Sequence, residues 1–570
     1  MRSETVTSQN LWGEAQLVGG GLPIVHRMKL ELPPIPDAER TPLVETLLDL
    51  LRQVVDRVQQ LEETSQQLRD EIARLKGQKP RPPLQPSILQ LPTPPNDTAP
   101  AKPRQRGKPS GPRNVELAID REVPLHPATL PEGAIFKGFE PYVVQELLIH
   151  SDTTRYLRAR YKLPNGESLL APLPAGILPI EGGHFGAHLV AYILDQYHHA
   201  QVTEPLLLEQ LHEYGIVISA GQLHHILTEN KERFHQEKAE VLAVALAESS
   251  YVGTDDTGAR HQGQNGYCTV IGNDLFAVFE SSASKSRLNF LQVLQGPTRD
   301  YAINETTLAY WERQKLPQAL RVLLTQGPPT FGSEAAWTAR LAELAITEER
   351  HVRIVTEGAL LGGLIARGVS EELVILSDGA PQFVVLVHAA CWVHAERPLA
   401  KLVPHNEEHR AAIAKIRQSI WELYQELKAY REHPQEARRP VLEERFDALV
   451  GQRTGYPSID GVLREMREHK ADLLRVLVRP EVPLHNNATE SDIREYVKRR
   501  KVSGGTRSDA GRRCRDTFAS LKKTCRKLGM GFWDYLQDRV RGLGQVPQLA
   551  ELIRQRAREA TAKKVVAVPA

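Results

Sequence analysis

An apolar run that stops at two adjacent carboxylates constrains the fold of this chain more than any other feature. Residues 251–253 are followed by a threonine, by Asp255 and Asp256, and shortly afterwards by Gly258. A strand that ends in Asp where the chain leaves a sheet can present an oxygen ligand at the edge of that sheet. By itself this signal is weak, so its value depends on what the rest of the chain adds.

Two later stretches place carboxylates in comparable positions. Residues 372–376 are a second apolar strand, closed by Asp378 and Gly379, and Glu490 lies just inside the predicted start of a helix. Three carboxylates on separate elements suit a two-metal site, where Mg²⁺ ions about 4 Å apart stabilise the attacking and leaving oxygens of a phosphodiester. Each acid also has a structural interpretation, because Asp-Gly is typical of a turn and Asn487 with Glu490 fits a capping box.

Several motifs in a fixed order carry a family resemblance. The motifs are Thr254-Asp255-Asp256-Thr257-Gly258-Ala259-Arg260, Ser377-Asp378, Cys391-Trp392-Val393-His394-Ala395-Glu396-Arg397, Asn486-Asn487-Ala488-Thr489-Glu490 and a block from Lys501 to Gly511. Together they resemble the signatures of DDE transposases of the insertion-sequence-66 family. The resemblance spans about residues 252–529 and is weaker before them.

The resemblance implies an insertion-sequence transposase, which hydrolyses a phosphodiester at the ends of the element and transfers the strand into target DNA. The family's catalytic and metal-binding triad corresponds to Asp255, Asp378 and Glu490, with two Mg²⁺ or Mn²⁺ ions per active site. Its Cys-x-x-His element corresponds to Cys391 and His394. Structural zinc usually takes four ligands and no second pair lies nearby, so we expect no zinc and interpret these two as packing residues beside Trp392.

The formal net charge of +2 conceals a strongly basic segment. Residues 494–527 carry 13 Lys and Arg against three acids, which is a local charge of +10 and leaves −8 for the remainder. This charge suits the phosphates of DNA, and adjacent glycines would let backbone amides approach them. The predicted DNA-binding residues are Lys498, Arg499, Arg500, Lys501, Gly504, Gly505, Arg507, Arg512 and Arg513.

The composition indicates a large soluble protein. With 570 residues, 41% hydrophobic and 25% charged, the chain can bury a sizeable core and form several domains. No window is apolar enough to cross a membrane, and the N-terminus lacks the apolar core of a signal peptide. Four widely spaced cysteines suit a reducing compartment. We therefore expect a bacterial cytoplasmic protein, associated with the nucleoid and without a membrane partner.

A coiled coil is predicted near the N-terminus. Apolar residues recur at alternating spacings of four and three from Leu47 to Leu75, interrupted only at Ser65. Such a seam predicts a homo-oligomer. A single helix packed on its own chain is the alternative.

The segment after the coiled coil is rich in proline and basic residues and is typical of a linker. Members of the family usually carry a Cys-rich zinc-binding element after such a linker, but residues 114–180 contain no Cys. Either that element has become a metal-free β unit, or recognition of the DNA ends is arranged differently here. Residues 155–163 and 168–173 have the pattern of a hairpin.

A candidate helix-turn-helix follows. Residues 205–214 form the first predicted helix, a turn follows at Gly215, and Ser219 caps the second helix. The second helix would offer side chains to a groove of DNA. Plain helical packing explains the same pattern, so both alternatives stay open.

The predicted fold is a multidomain α/β protein with an N-terminal coiled coil, a helical DNA-binding region and a ribonuclease-H-like catalytic domain with two helical insertions. The predicted divisions are a poorly ordered N-terminus (1–40), the coiled coil (41–77), the linker (78–115), the small β unit (116–183), the helical region (184–246), the DDE domain (247–540) with inserts at about 304–366 and 399–475, and a C-terminal tail (541–570).

Two rival functions remain in view at this point. A catalytically silent DNA-binding protein derived from a transposase would keep the coiled coil and the basic surface, although the three intact acids argue against it. A phosphatase with an Asp-x-Asp-x-Thr nucleophile does not fit, because Asp255 and Asp256 are adjacent. The chain has no Walker loop, so ATP-driven chemistry is unsupported.

Overall fold

The structure is a computed structural model, and it describes residues 49, 54, 57, 118–147, 149–173 and 185–566. The predicted coiled coil lies outside these residues except for Asp49, Val54 and Arg57, which are helical. The predicted linker and the segment 1–40 lie outside them as well. The oligomer predicted from the coiled coil therefore stays a prediction.

The predicted hairpin is confirmed with shorter strands. Strand β1 (Arg160–Lys162) pairs with β2 (Ser168–Leu170) in antiparallel register. Gly166, at a φ of 87°, lies in the turn between them, and its N–H donates to Leu163 O. A positive φ is a conformation that glycine adopts without steric cost.

Four helices follow the hairpin, and two of them have the predicted helix-turn-helix pattern. Gly215, with a φ of 76°, separates the second and third helices, and a capping box between Ser219 and Gln222 starts the third. The elements are confirmed, whereas DNA contact by the third helix stays a prediction. The helices are α1 (Ala187–His198), α2 (Glu204–Glu213), α3 (Ala220–Thr228) and α4 (Glu232–Glu248).

Five strands form a central mixed sheet. The strands of this sheet are β3 (Tyr251–Gly258), β4 (Tyr267–Gly272), β5 (Ala277–Ser282), β8 (Val374–Ser377) and β9 (Val387–Ala390). Two short strands, β6 (Tyr301–Ala302) and β7 (Thr330–Phe331), lie between β5 and β8 in the sequence. The order in the sheet is β5-β4-β3-β8-β9, and β6 and β7 form a separate antiparallel pair. β3, β8 and β9 are parallel neighbours, whereas β4 and β5 are antiparallel.

Helices occupy the two places where helical inserts are predicted. Between β5 and β8 lie α5 (Arg287–Gln295), α6 (Glu305–Arg313), α7 (Gln318–Thr325), α8 (Glu334–Glu343) and α9 (Glu349–Ala366). After β9 come α10 (Trp392–Lys401), α11 (Glu407–Glu432), α12 (Arg439–Val450), α13 (Pro457–Glu468), α14 (Lys470–Leu473) and α15 (Arg475–Val478).

The second set of helices has a core of its own, and Trp392 belongs to it. Helix α11 buries Ile413, Ile416 and Ile420 at spacings of three and four, the period of one face of a helix. Trp392 is buried in the same cluster and donates its indole N–H to Leu473 O at 2.8 Å. The role of Trp392 as an apolar anchor is thus confirmed.

Four helices complete the described chain, namely α16 (Asn487–Ser503), α17 (Asp509–Lys527), α18 (Phe532–Arg541) and α19 (Leu549–Val566). All four cysteines are buried free thiols, as predicted. No helix among the described residues combines the length and the apolar character needed to cross a bilayer.

The chain divides into two compact units. Among the described residues, the first unit contains Ser249–Asp255 and Ser286–Glu490, and the second contains residues 185–248, Asp256–Lys285 and residues 491–566. In the first unit, Val374, Leu376 and Ala389 of the sheet pack with Val482. In the second unit, the core includes residues of β4 and β5 together with Ile493 and Tyr496.

Candidate catalytic site

Asp255 and Asp378 lie at matching positions of neighbouring parallel strands. The register of the two strands pairs Gly253 of β3 with Leu376 of β8, and continuing it by two residues puts Asp255 opposite Asp378. Neighbouring strands are about 4.8 Å apart, so the register brings both carboxylates to the same part of the sheet. Asp255 lies inside β3, which continues to Gly258, so the prediction that the strand ends at Asp255 is wrong. Asp255 is half-buried and Asp378 is exposed. The predicted neighbouring strands are present, with Asp255 inside β3 and Asp378 directly after the end of β8.

The start of α16 packs directly on β3 beside Asp255. Asn486 Nδ2 donates to Thr254 O at 2.8 Å. A Cβ atom at Gly253 would lie 2.2 Å from Thr489 Oγ1, so only glycine allows this close approach. Glu490 follows Thr489 on the helix, and these contacts bring it to the edge of the sheet that carries Asp255.

Helix α16 begins one residue earlier than the capping-box alternative requires. Asn487 is the first helical residue, and the N–H of Glu490 donates to the carbonyl of Asn486, which precedes the helix. Asn487 is thus inside the helix instead of capping it. The half-buried side chain of Glu490 lies toward His394, with 3.7 Å between Glu490 Oε1 and His394 Nδ1.

Cys391 connects the end of β9 to the start of α16. Its backbone N–H donates to Ser377 O at 3.0 Å, and its sulfur accepts the N–H of Asn486 at 3.3 Å. The ligand atoms of Cys391, His394 and Glu490 lie within 4.8 Å of one another. The interpretation of Cys391 and His394 as packing residues did not include this contact with Glu490.

His394 is in electrostatic range of two acids of the predicted triad. Burial and Arg397 lower the pKa of His394, whereas Glu490 and Asp378 raise it, and the net result is a pKa below the ordinary value. The imidazole is therefore neutral near pH 7. Burial also raises the pKa of the Cys391 thiol, which disfavours the thiolate that metal ligation requires.

A row of polar contacts fixes the backbone next to Asp378. Ser377 Oγ accepts the N–H of Gly379 at 3.1 Å and lies 2.8 Å from His388 Nε2, and His388 Nδ1 lies 3.1 Å from Asp472 Oδ2. The order Ser-His-Asp is that of a hydrolase triad, but Ser377 is completely buried and no substrate could reach it. These contacts instead support the turn that carries Asp378, and sequence spacing provides no signal for them.

The donor set suits hard divalent ions. Asp255, Asp378 and Glu490 offer carboxylate oxygens, which Mg²⁺ and Mn²⁺ prefer. Cys391 and His394 offer the softer donors that suit zinc, but with Glu490 they make only three ligands. The expectation of a magnesium-type site without zinc stays a prediction.

Asp256 belongs to the other face of β3. The strand continues to Gly258, so Asp256 points away from Asp255. Asp256 Oδ1 lies 3.5 Å from Lys285 Nζ, and the carboxylate is mostly buried. This neighbouring carboxylate provides a matched control for Asp255.

The predicted DNA-binding residues differ in accessibility. Lys498, Lys501 and Arg507 are exposed, whereas Arg499 is buried with its guanidinium 4.1 Å from the centre of the Tyr197 ring. Arg500 Nη1 donates to Thr257 Oγ1 at 3.3 Å. Exposed lysines can approach the phosphates of a passing duplex directly, so the exposed residues of this set are the ones placed along its surface.

The remaining predicted DNA contacts have partners inside the protein. Arg512 pairs with Asp509 at 2.9 Å and Arg513 with Glu232 at 2.7 Å. Gly504 has a φ of 69°, and a Cβ at Gly505 would lie 2.5 Å from Arg260 O. Local backbone geometry thus requires both glycines, and their proposed approach to phosphates stays a prediction.

Part of the local positive charge is neutralised between α16 and α17. Lys522 pairs with Glu495, Lys523 pairs with Glu495 at 2.6 Å, and Lys527 pairs with Asp492 at 2.8 Å. A charge count along the sequence cannot detect these pairs, because they join different helices.

Comparison with known proteins identifies a family. A profile described as Transposase IS66 family matches residues 380–513, a range that contains Cys391, His394 and Glu490. An uncharacterized protein of Sinorhizobium fredii, y4jO, is 38% identical over 321 residues, which are 56% of this chain and 100% of that protein. The chain therefore belongs to the IS66, or insertion-sequence-66, family of transposases.

Proposed function

We propose that the chain is a DDE transposase that cleaves DNA at the ends of an insertion sequence and joins the freed ends to target DNA. The observation that carries this proposal is the contact of the start of α16 with β3 beside Asp255, next to the strand that Asp378 follows. Membership of a transposase family supports the same function.

Asp255, Asp378 and Glu490 would hold two Mg²⁺ or Mn²⁺ ions, which when bound stabilise the charge that develops on the attacking and leaving oxygens. The remaining groups of the site orient these carboxylates. The contact between Asn486 and Thr254 anchors the first turn of α16. The imidazole of His394, 3.7 Å from Glu490, would limit the positions open to that carboxylate.

The chemistry consists of two phosphoryl transfers. In the first, water adds to the phosphorus at the end of the element, the P–O3′ bond breaks, and a proton passes to the new 3′-OH. In the second, that hydroxyl attacks a phosphodiester of the target, so one P–O bond forms as another breaks. Both transfers use the same three carboxylates, because the two reactions differ only in the nucleophile, which is water in the first and the 3′-OH in the second.

We propose a ribonuclease-H-like fold for the catalytic domain. The sheet order β5-β4-β3-β8-β9, with an antiparallel pair on one side and parallel strands on the other, supports this assignment. The position of the third acid on a late helix supports it as well. The helices between β5 and β8 and those after β9 would be the two insertions.

The proposed DNA path includes the exposed face of α16 beyond Glu490. Lys498 and Lys501 lie on that face and Arg507 follows the helix, and all three are exposed. Their charges would neutralise backbone phosphates without reading sequence. Assembly through the segment 41–77 and association with the nucleoid belong to the same proposal.

Cleavage of the element's own terminal DNA tests the proposed function. The protein should nick a duplex with the terminal repeat in Mg²⁺ or Mn²⁺, and Asp378→Asn and Glu490→Gln should each abolish nicking while binding the duplex as the parent does. A catalytically silent DNA-binding protein would bind the duplex without nicking it in either metal. That outcome would overturn the proposal.

A further inference from the structure

We propose that a small cavity lined by α1, α16 and α17 of the second unit binds a phosphate group. Its lining includes Tyr197, Arg499, Arg515 and Lys522, together with Glu495 as the acid. The cavity is partly open to solvent, so a group attached to a larger molecule can enter it.

The buried guanidinium of Arg499 is the first argument for a ligand. Arg499 is only 7% exposed, and among the described residues its Nη1 and Nη2 atoms have no hydrogen-bond partner. The guanidinium stacks on Tyr197 at 4.1 Å, which fixes its plane. Burying a charged group whose N–H groups make no hydrogen bonds costs free energy. An anion in the cavity would accept those hydrogen bonds.

The charges around Arg499 are the second argument. Arg515 and the two lysines Lys522 and Lys523 also line the cavity, and Glu495 is already paired with both lysines. Burial raises the pKa of Glu495, but Lys522 and Lys523 together lower it to about 2. The carboxylate is therefore ionised, and its negative charge is paired with these two lysines. The cavity therefore keeps a net positive charge.

His198 does not add to this positive charge. Its ring is stacked on Phe518, and its buried Nε2 atom has no hydrogen-bond partner within the described part of the chain. Burial, with Arg499 and Lys522 nearby, holds the pKa of His198 well below its usual value. A neutral imidazole adds a polar group to the cavity without adding charge.

The size of the cavity limits how many atoms of a ligand can enter it. Its volume is about 30 Å³. A water-sized atom needs roughly 10–15 Å³, so about two such atoms fit. Two nonbridging oxygens of one phosphate group meet this limit, and a planar guanidinium can bind two oxygens at once. A whole nucleotide is too large.

The first test is thermal stability in millimolar phosphate compared with chloride at equal ionic strength. A ligand that binds the folded protein raises the apparent Tm with the logarithm of its concentration. The parent should show this rise, and Arg499→Met should lose it, with phosphate affinity reduced roughly tenfold or more. The matched control is Arg558→Met, which removes an exposed arginine of α19 in the same unit and should keep the rise.

The second test identifies the source of the phosphate group. If the group belongs to the DNA backbone, an assignment that rests on the proposed function, Arg499→Met should flatten the dependence of log affinity on log salt by roughly 0.9. If free phosphate is the ligand, that slope should equal the slope of Arg558→Met while the loss of phosphate stabilisation persists. Absence of DNA cleavage would leave the phosphate result unchanged, so the two proposals fail separately.

The proposal is overturned if phosphate stabilises the parent no more than chloride does, because the cavity then holds only water. It is also overturned if Arg499→Met and Arg558→Met respond equally to phosphate. If Arg499→Met fails to fold, Arg499→Lys replaces it as the test. Lysine keeps the charge but lacks the two parallel N–H donors, so the rise of Tm with phosphate must still be smaller than in the parent. A parent that shows no stabilisation by phosphate overturns the proposal without any variant.

Discussion

His394 Nδ1 lies 3.7 Å from Glu490 Oε1, and Asp378 acts electrostatically on the same imidazole. A group that orients a metal-binding carboxylate affects the rate more than it affects DNA binding. His394→Ala should therefore lower the rate of nicking at saturating DNA by roughly ten- to a hundredfold, with DNA affinity unchanged. His394→Gln should restore part of the rate, because an amide can still contact Glu490.

Single-turnover nicking and DNA binding measured on the same preparations check this prediction. Equal rates for His394→Ala and the parent would show that the contact with Glu490 has no positioning role. A purely structural role would instead lower Tm and both activities together.

His235 makes the stability of the second unit depend on pH. Its Nδ1 lies 2.8 Å from Thr517 Oγ1, and burial and Arg513 lower its pKa to about 4. The unfolded chain takes up the proton near pH 6.5, so between 6.5 and 4 the unfolded state binds more protons than the folded state. Stability contributed by neutral His235 is present above pH 6.5 and is lost as pH falls toward 4.

The apparent Tm should thus fall from about pH 7 to pH 5, and His235→Gln should show a smaller fall because it cannot titrate. Thermal melts across this range measure both slopes. Identical slopes in the parent and the variant would contradict the assignment. The comparison is necessary because His409, whose pKa burial lowers to about 4, also contributes to the fall in the parent.

At the scale of elements, α16 carries Glu490 near its start and exposed lysines near its end. Because Lys498 and Lys501 are both exposed, replacing both with Ala should weaken binding to every DNA sequence alike. The slope of log affinity against log salt should flatten by roughly 0.9 for each phosphate that the variant no longer neutralises.

The matched control removes two exposed arginines of α19, Arg556 and Arg558, by replacement with Ala. Polarisation titrations at several salt concentrations measure all three proteins. If the lysine pair and the arginine pair change affinity and slope equally, the face of α16 is an ordinary solvated surface.

The elements of the site were largely predictable from local patterns. Apolar runs before Asp255 and Asp378 predicted β3 and β8, although β3 continues beyond Asp255 to Gly258. The start of α16, with its two Asn residues, predicted the helix with Glu490. The strands of the hairpin were predicted too long, because the pattern of alternating residues extends beyond the residues that pair.

Contacts between distant residues were not predictable. The pairing of Lys527 with Asp492 and the burial of Arg499 depend on how α16, α17 and α1 pack. The relation of Cys391 and His394 to Glu490 joins segments about 95 residues apart, as the hydrogen bond from Asn486 N to Cys391 Sγ illustrates. Sequence spacing contains no information on such distances without an established fold.

At the scale of the whole molecule, the predicted coiled coil would decide the oligomeric state. Removal of residues 1–77 should lower the mass of the protein in solution to that of fewer chains, because it deletes the apolar seam from Leu47 to Leu75. Leu61→Pro should have the same effect, since proline breaks the helix. Light scattering measures both, and an unchanged mass would mean that this helix packs within its own chain.

The central claim is that Asp255, and not the adjacent Asp256, acts in phosphodiester cleavage together with Asp378 and Glu490. Asp255→Asn and Asp256→Asn make the same chemical change at adjacent positions on opposite faces of β3. The account predicts that Asp255→Asn abolishes metal-dependent nicking of the terminal DNA while still binding it. Asp256→Asn, which weakens the ion pair with Lys285, should nick nearly as the parent does. Nicking retained by Asp255→Asn, or equal loss in both variants, would contradict the account.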